Sequence, residues 1–452
     1  MNADRPEFLK SGEPARLIPV VADSSREQRI ASVVLAVMTA VPAFSRALLA
    51  STGKSIGKSA KVECWTEVVF AGQENHGKDR PDGLIVVSTG RSRWSALVEA
   101  KIGNQELVAE QVERYAELAR ANGIDAVITM SNQLVARADH HPIKLPKRLL
   151  NKVGLYHWSW MSVLTQAMLL DMEQSIDDPE QRFILDETIR FLSHDSTGIN
   201  GFGQMNREWK DVVATVRNGG ALVKTAPEIE ATISGWHQEE RDLCLIMSRH
   251  LGTPVGLRLE RKHKDAPQER MKDDCLLLAS EMRMCGALQI PGAAADIEIT
   301  VDLQTRTIAC SMELEAPKDK QQTKARVNWL VRQLAKTDNG EVHIRAKWPG
   351  SAPETMESLA RLREDPGAIQ AVNAKLTPRA FEVLMVRDLA GKFSGARSFV
   401  EHLEKAVPEF YDQVGQHLRA WRPAPPKPRG EARAVDDGEL DGVGSAVLES
   451  SV

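Results

Sequence analysis

The apolar positions change period several times along the chain. Ile30, Val33, Val34, Val37, Met38, Val41, Phe44 and Leu48 recur at the three-and-four spacing of one helix face. Ser24 or Ser25 is available as its N-cap, and Pro42 is expected to kink the helix or split it. The polar, Gly- and Lys-rich segment Ser51–Lys61 ends it. Residues 62–70, 83–88 and 94–102 are rich in Val, Ile, Trp and Thr and predict three strands. Thr89-Gly90-Arg91-Ser92 reads as a hairpin turn between the second and third. Helical period returns over 105–121 through Leu107, Val108, Val112, Tyr115, Leu118 and Ala119, and Gly123 supplies a stop. AVITMS, residues 126–131, is a short buried strand. The order helix, three strands, helix, strand predicts an α/β fold with a sheet of mixed direction.

Beyond this core, residues 146–192 are predicted mostly helical, and Asp195–Gly203 has the Gly, Ser and Asn content of a domain boundary. A second unit opens at Met205 with helices to about His250. Strands are expected near Val255–Glu260, Leu276–Pro291 and Ile297–Glu315, a helix over Gln322–Ala335, a strand over Val342–Trp348 and further helices to about Trp421. That pattern is α+β. The chain therefore divides into an extended arm (1–23), a first domain (24–195), a second domain of unassigned role (205–421) and a tail (422–452). The tail opens Pro-rich, turns acidic and Gly-rich, and reads as disordered. No internal repeat is visible.

Composition narrows the function class. With 58 Lys+Arg against 62 Asp+Glu, the formal charge of -4 gives no global basic field, so a nucleic-acid role needs a local patch. No apolar run approaches the roughly 18 residues of a membrane span, and MNADRPEFLK lacks the apolar centre of a signal peptide. The five cysteines form no CxxC and read as thiols in a reducing cytoplasm. No membrane role, secreted disulfide scaffold or zinc ribbon is expected.

The chemistry concentrates between Glu63 and Tyr115. Pro81-Asp82-Gly83 opens the second strand and Glu99-Ala100-Lys101 ends the third. Residues two apart on a strand share a face, so Glu99 and Lys101 project together, and hairpin pairing brings Asp82 beside them. Two carboxylates converging on one point are costly unless a cation sits between them, and oxygen donors select a hard ion such as Mg²⁺ or Mn²⁺. An adjacent ammonium suits the orientation or deprotonation of a water attacking phosphorus, or the stabilisation of charge on the phosphate.

Pro81-Asp82, a 17-residue spacing and then Glu99-Ala100-Lys101 resembles the PD-(D/E)XK nuclease superfamily, and the surrounding order αβββαβ is similar to its restriction-endonuclease-like core. Gln111 and Tyr115, four apart on the following helix, match the QxxxY element of the RecB-like branch. The resemblance covers roughly residues 24–170. It implies a Mg²⁺-dependent nuclease, with Mn²⁺ able to substitute, acting on nucleic acid, with DNA the expected substrate. Asp82, Glu99 and the Ala100 carbonyl would hold the metal, Lys101 would position or activate water, and Gln111 and Tyr115 would organise the lysine and the scissile strand. The superfamily often adds an acidic ligand, for which Glu27 on the first helix and Glu67 on the first strand compete. A role in bacterial defence or repair follows only by analogy. Two other readings stay open: a nuclease-fold binding or regulatory protein without turnover, and an interaction protein whose C-terminal half carries the main role. The second domain is expected to serve recognition, a protein partner or homo-oligomerisation.

Other motifs carry less. Gly72–Asp79 nearly spells a phosphate-binding loop but ends in Asp79 and precedes a strand, and Gly53–Ser59 is one residue short and follows a helix. His140-His141 belongs to no HExxH or zinc-spaced set and reads as surface or core. Lys318, Lys320, Lys324, Arg326, Arg332 and Lys336 surround one helix carrying Trp329, followed by Arg345, Lys347 and Trp348. They read as a solvated face opposite Val327, Leu330, Val331 and Leu334, with a nucleic-acid surface as the alternative. Arg261-Lys262-His263-Lys264 reads as a charged loop.

Overall fold

The computed structural model describes residues 6–19, 25–70, 80–90, 92–103, 105–371 and 374–423. The first half contains β1 (Leu9–Pro14), α1 (Arg26–Ala40), α2 (Pro42–Ala50), β2 (Lys61–Phe70), β3 (Gly83–Thr89), β4 (Ser92–Ala100), α3 (Ala109–Ala121), β5 (Ala126–Ser131), α4 (Lys147–Leu150), β6 (Gly154–Ser159), α5 (Trp160–Met172) and α6 (Pro179–Leu192). The strands form one mixed sheet in the order β1-β2-β3-β4-β5-β6. β1 to β4 pair antiparallel, whereas β4-β5 and β5-β6 pair parallel across helical crossovers.

Period-2 alternation sorts the side chains of this sheet. Ile85, Val87, Ala96, Val98, Ala126 and Ile128 face α1, α2 and α5, while Leu84, Val86, Leu97 and Val127 face Tyr115, Ala116 and Ala119 of α3. Burial on both faces explains the nearly unbroken apolar runs of β3 and β4. Asp82 shares the phase of Leu84, and Glu99 that of Leu97, so both belong to the α3 face.

The second half contains α7 (Trp209–Arg217), α8 (Pro227–Leu251), β7 (Gly256–Leu257), α9 (Arg261–Asp265), α10 (Pro267–Glu281), β8 (Arg283–Gln289), β9 (Ile297–Asp302), β10 (Thr307–Glu315), α11 (Thr323–Gln333), β11 (Val342–Lys347), β12 (Thr355–Ser358), α12 (Leu359–Glu364), β13 (Ala380–Asp388) and α13 (Ala396–Gln413). Its sheet is antiparallel, in the order β12-β11-β13-β10-β9-β8-β7. It has its own apolar core from Met205 to Leu418. The halves meet where α5 packs on α8, and there Arg249 Nη1 donates to Thr165 Oγ1 at 2.7 Å.

Several expectations change. The described part of the arm is no free extension, because Leu9–Pro14 pairs with β2 as an edge strand and Leu9 is buried. Ser25 stands at the N-cap of α1 without a capping bond, and the long helix breaks at Val41 with a 110° bend before Pro42. Residues 146–192 hold strand β6, whose GLYHWS sequence offers no alternation to read. Residues 276–281 are the end of α10, only two residues of 255–260 pair as a strand, and 297–315 is a hairpin. β12 and β13 lie in a stretch expected to be helical, and β13 is central to its sheet. Residues 261–265 form one helical turn instead of a loop. All five cysteines are free, and only Cys285 is exposed. Residues 72–79 and 424–452 lie outside the described residues, so neither the first loop-like motif nor most of the tail is placed. Among the described residues no single helix is long and apolar enough to cross a membrane.

Candidate active site

The β3-β4 register pairs Gly83 with Val98, which carries Asp82 to the end of β4. There Asp82 Oδ2 accepts the Ala100 N–H at 2.8 Å. Gly83 permits the approach, because a Cβ there would overlap Leu35 Cδ1 and stand 3.2 Å from the Trp65 carbonyl oxygen. Lys101 continues the parallel ladder by donating its N–H to the Met130 carbonyl at 2.8 Å. Trp160 Nε1 donates to the Lys101 carbonyl at 2.7 Å. The main chain around Ala100 is thus fixed on both sides.

Lys101 Nζ donates to Glu99 Oε1 at 2.5 Å, as the two-residue spacing predicts. The same oxygen accepts from Gln111 Nε2 at 2.6 Å. Gln111 Nε2 also stands 3.2 Å from the Tyr115 hydroxyl, which donates to the Arg80 carbonyl at 3.1 Å. The helical i,i+4 spacing that puts Gln111 above Tyr115 therefore ties α3 to both β4 and the entry of β3. Gln111 reaches Glu99 and not the lysine, so it acts on Lys101 through that carboxylate.

Glu27, in the first turn of α1, accepts the Ile102 N–H through Oε1 at 3.1 Å, and its Oε2 lies 4.0 Å from Lys101 Nζ. Glu67 takes a different path. It has φ +57° where the β1-β2 register slips, and its carboxylate pairs with Arg80. It lines a cavity of about 330 Å³ with Asp82, Arg16 and Arg80, beside the lysine cluster. Of the two competing acidic residues, Glu27 is the one brought to Lys101.

Three carboxylates and one ammonium share this corner. Burial, then the charge of Glu99, pushes Asp82 up to about 7. Burial also raises Glu99, which is only 2% exposed, although Lys101 opposes it. Burial alone would pull Lys101 down, but Glu99, with Glu27 and Asp82, more than offsets it. Lys101 is therefore an ammonium at neutral pH. The Tyr115 hydroxyl is pushed up by burial and then by Glu99, so it stays protonated.

The donor chemistry fits a hard divalent cation. Asp82 and Glu99 are carboxylates at a corner with an excess of negative charge, and the Ala100 carbonyl accepts from Lys101 Nζ at 3.4 Å. Mg²⁺ is commonly bound by one or two carboxylates while keeping several waters. Among the described residues no group of three or more His, Cys, Asp or Glu side chains is placed to hold a metal ion.

Sequence reasoning missed the main-chain partners: the Arg80 carbonyl, the Ile102 N–H and the Lys101 carbonyl held by Trp160. Residue type does not mark such contacts. Among the described residues His141 and His157 belong to no metal set. Both bond to Thr129 Oγ1 at 2.8 Å, and burial lowers them to about 3 and about 4, so they are neutral. Residues 53–59 form a loop leading from α2 to a strand and thus have no helix to cradle phosphate. No protein-family model, no curated protein and no solved structure matches the chain.

Proposed function

We propose that this chain is a metal-dependent nuclease of PD-(D/E)XK type, hydrolysing phosphodiester bonds, with DNA as the preferred substrate. The observation that carries the reading is the convergence of Asp82, Glu99, Lys101, Gln111 and Tyr115, drawn from two strands and a helix, on one half-buried corner. Glu27 stands across the ammonium. Mg²⁺ or Mn²⁺ held by Asp82, Glu99 and the Ala100 carbonyl would supply charge neutralisation at the phosphate.

The chain's own residues do the rest. Lys101, protonated and held by Glu99, presents N–H donors to a water or a phosphate oxygen, which suits orientation and charge stabilisation better than proton abstraction. Gln111 fixes the Glu99 oxygen that holds the lysine, and Tyr115 fixes Gln111. Among the described residues the bond from Ala100 N–H occupies one Asp82 oxygen and leaves the other for a ligand. Cleavage that requires added Mg²⁺ or Mn²⁺, stops in EDTA and disappears in Lys101→Ala tests this assignment.

A further inference from the structure

The basic run around α11 separates into two groups. Lys324 pairs with Asp365, Arg326 donates to the Lys320 and Pro378 carbonyls, Arg345 pairs with Glu382 and Lys347 with Glu313. Trp348 is buried and donates to Thr355. These groups are structural.

Of the rest, Lys320 and Arg332 line a groove of about 520 Å³ with Ala325, Asn328, Trp329 and Gln333, and no carboxylate is in its lining. Val327, Leu330 and Leu334 anchor the opposite side of α11 in the core. Gln333 Oε1 accepts the Arg419 N–H at 2.6 Å, which clamps the segment after α13 against this helix. Among the described residues Gln333 Nε2 is buried without a hydrogen-bond partner. At the same end Lys318 Nζ stands 5.8 Å over the Trp421 ring. Two acids lie nearby: Glu315 pairs with Lys318, and Asp319 lies 3.9 Å from Lys320. Both carboxylates are well exposed, so an incoming anion meets little opposition.

A partly buried indole, two cations and two side-chain amides, with no carboxylate in the lining itself, suit an aromatic anion. We propose that this groove is a second nucleic-acid contact that takes a single-stranded segment. An unpaired base stacks on Trp329, and Lys320 and Arg332 hold the flanking phosphates. A duplex hides its base faces within the stack, so the indole selects an unpaired base. The ligand class comes from the charge and stacking chemistry of α11, and the proposal does not depend on turnover at Lys101.

The test uses the full chain carrying Lys101→Ala, in EDTA, so that nothing is cut. Binding of a labelled single-stranded oligonucleotide and of the same sequence as a duplex is followed by fluorescence anisotropy across a salt series. Adding Lys320→Gln with Arg332→Gln is expected to weaken single-strand binding about tenfold and to lower the log–log salt slope by about 1.4, the value for two lost phosphate contacts. Trp329→Leu is expected to weaken it about tenfold with the slope unchanged. The charge pair carries the test if the Leu variant misfolds. Unchanged single-strand affinity and slope in the charge variant, equal losses on duplex and single strand, or no single-strand binding by the parent overturns the proposal. A failure of the nuclease reading appears separately, as absent cleavage by the wild-type chain with metal.

Discussion

Replacing Asp82 by Asn should stabilise the metal-free protein while destroying its proposed activity. The side-chain oxygen of Asn keeps the bond from Ala100 N–H, and only the charge is lost. A carboxyl carried from 3.8 to about 7 corresponds to about 4 kcal/mol of destabilisation once it is ionised in the fold. Relaxation and water at this half-buried corner reduce that to about 2 kcal/mol. The sign follows from the direction of the shift. A raised folded-state pKa contributes stability that is present below the unfolded value and lost as pH rises through 7. Wild type and Asp82→Asn should therefore match near pH 4 and diverge as pH rises to 8. For a domain of this size the gap at pH 8 is about 4–8 °C in Tm. Calorimetry in EDTA at both pH values provides the assay. A variant less stable than wild type at pH 8, or a gap that grows toward acid, would refute the assignment of Asp82 to a crowded anionic site.

Four further outcomes follow from particular contacts. Tyr115→Phe removes the donor to the Arg80 carbonyl and the partner of Gln111 Nε2, so stability should fall by about 1 kcal/mol in urea titration. As a positioning change it should also lower kcat roughly tenfold in a nuclease assay, with KM held. Gly83→Ala drives a Cβ onto Leu35 between two packed elements, which should cost about 1–3 kcal/mol by the same titration. Glu239 is fully buried on α8, with both carboxylate oxygens unpartnered, and burial, then Glu404, raises its pKa well above the usual range. Glu239→Gln should gain about 1–3 kcal/mol at pH 8 and nothing near pH 4, read by thermal melts at the two values.

The convergence of the candidate side chains was legible in the sequence, and much of the fold around them was not. Asp82, Glu99 and Lys101 are charged residues at the ends of apolar runs, where burial makes a charge conspicuous, and helix period alone set Gln111 above Tyr115. Choosing between Glu27 and Glu67 was beyond the sequence. The positive φ at Glu67 and the slipped β1-β2 register turn that side chain toward Arg80, and both arise from tertiary pairing. β1 and β6 were missed because Gly12 and Pro14 mask the first strand, and the second is six residues without alternation. β13 was missed although AFEVLMVRD is apolar enough for a strand, because Leu384 and Val386, out of phase with the core-facing Phe381, Val383 and Met385, fill in the alternation and leave helix and strand alike. In the second half, the basic run showed its division into structural and open charges only once Asp365, Glu382 and Glu313 were seen to occupy part of it.

The most direct measurement is cleavage of circular and linear DNA by the purified wild-type chain with Mg²⁺, Mn²⁺ or EDTA, alongside Lys101→Ala. Metal-dependent cutting by wild type, none in EDTA and none by the variant is the predicted result, with circular substrate separating internal from terminal attack. Cutting that survives in EDTA or in Lys101→Ala would contradict the account. So would the absence of cutting by wild type in either metal, on DNA and RNA alike.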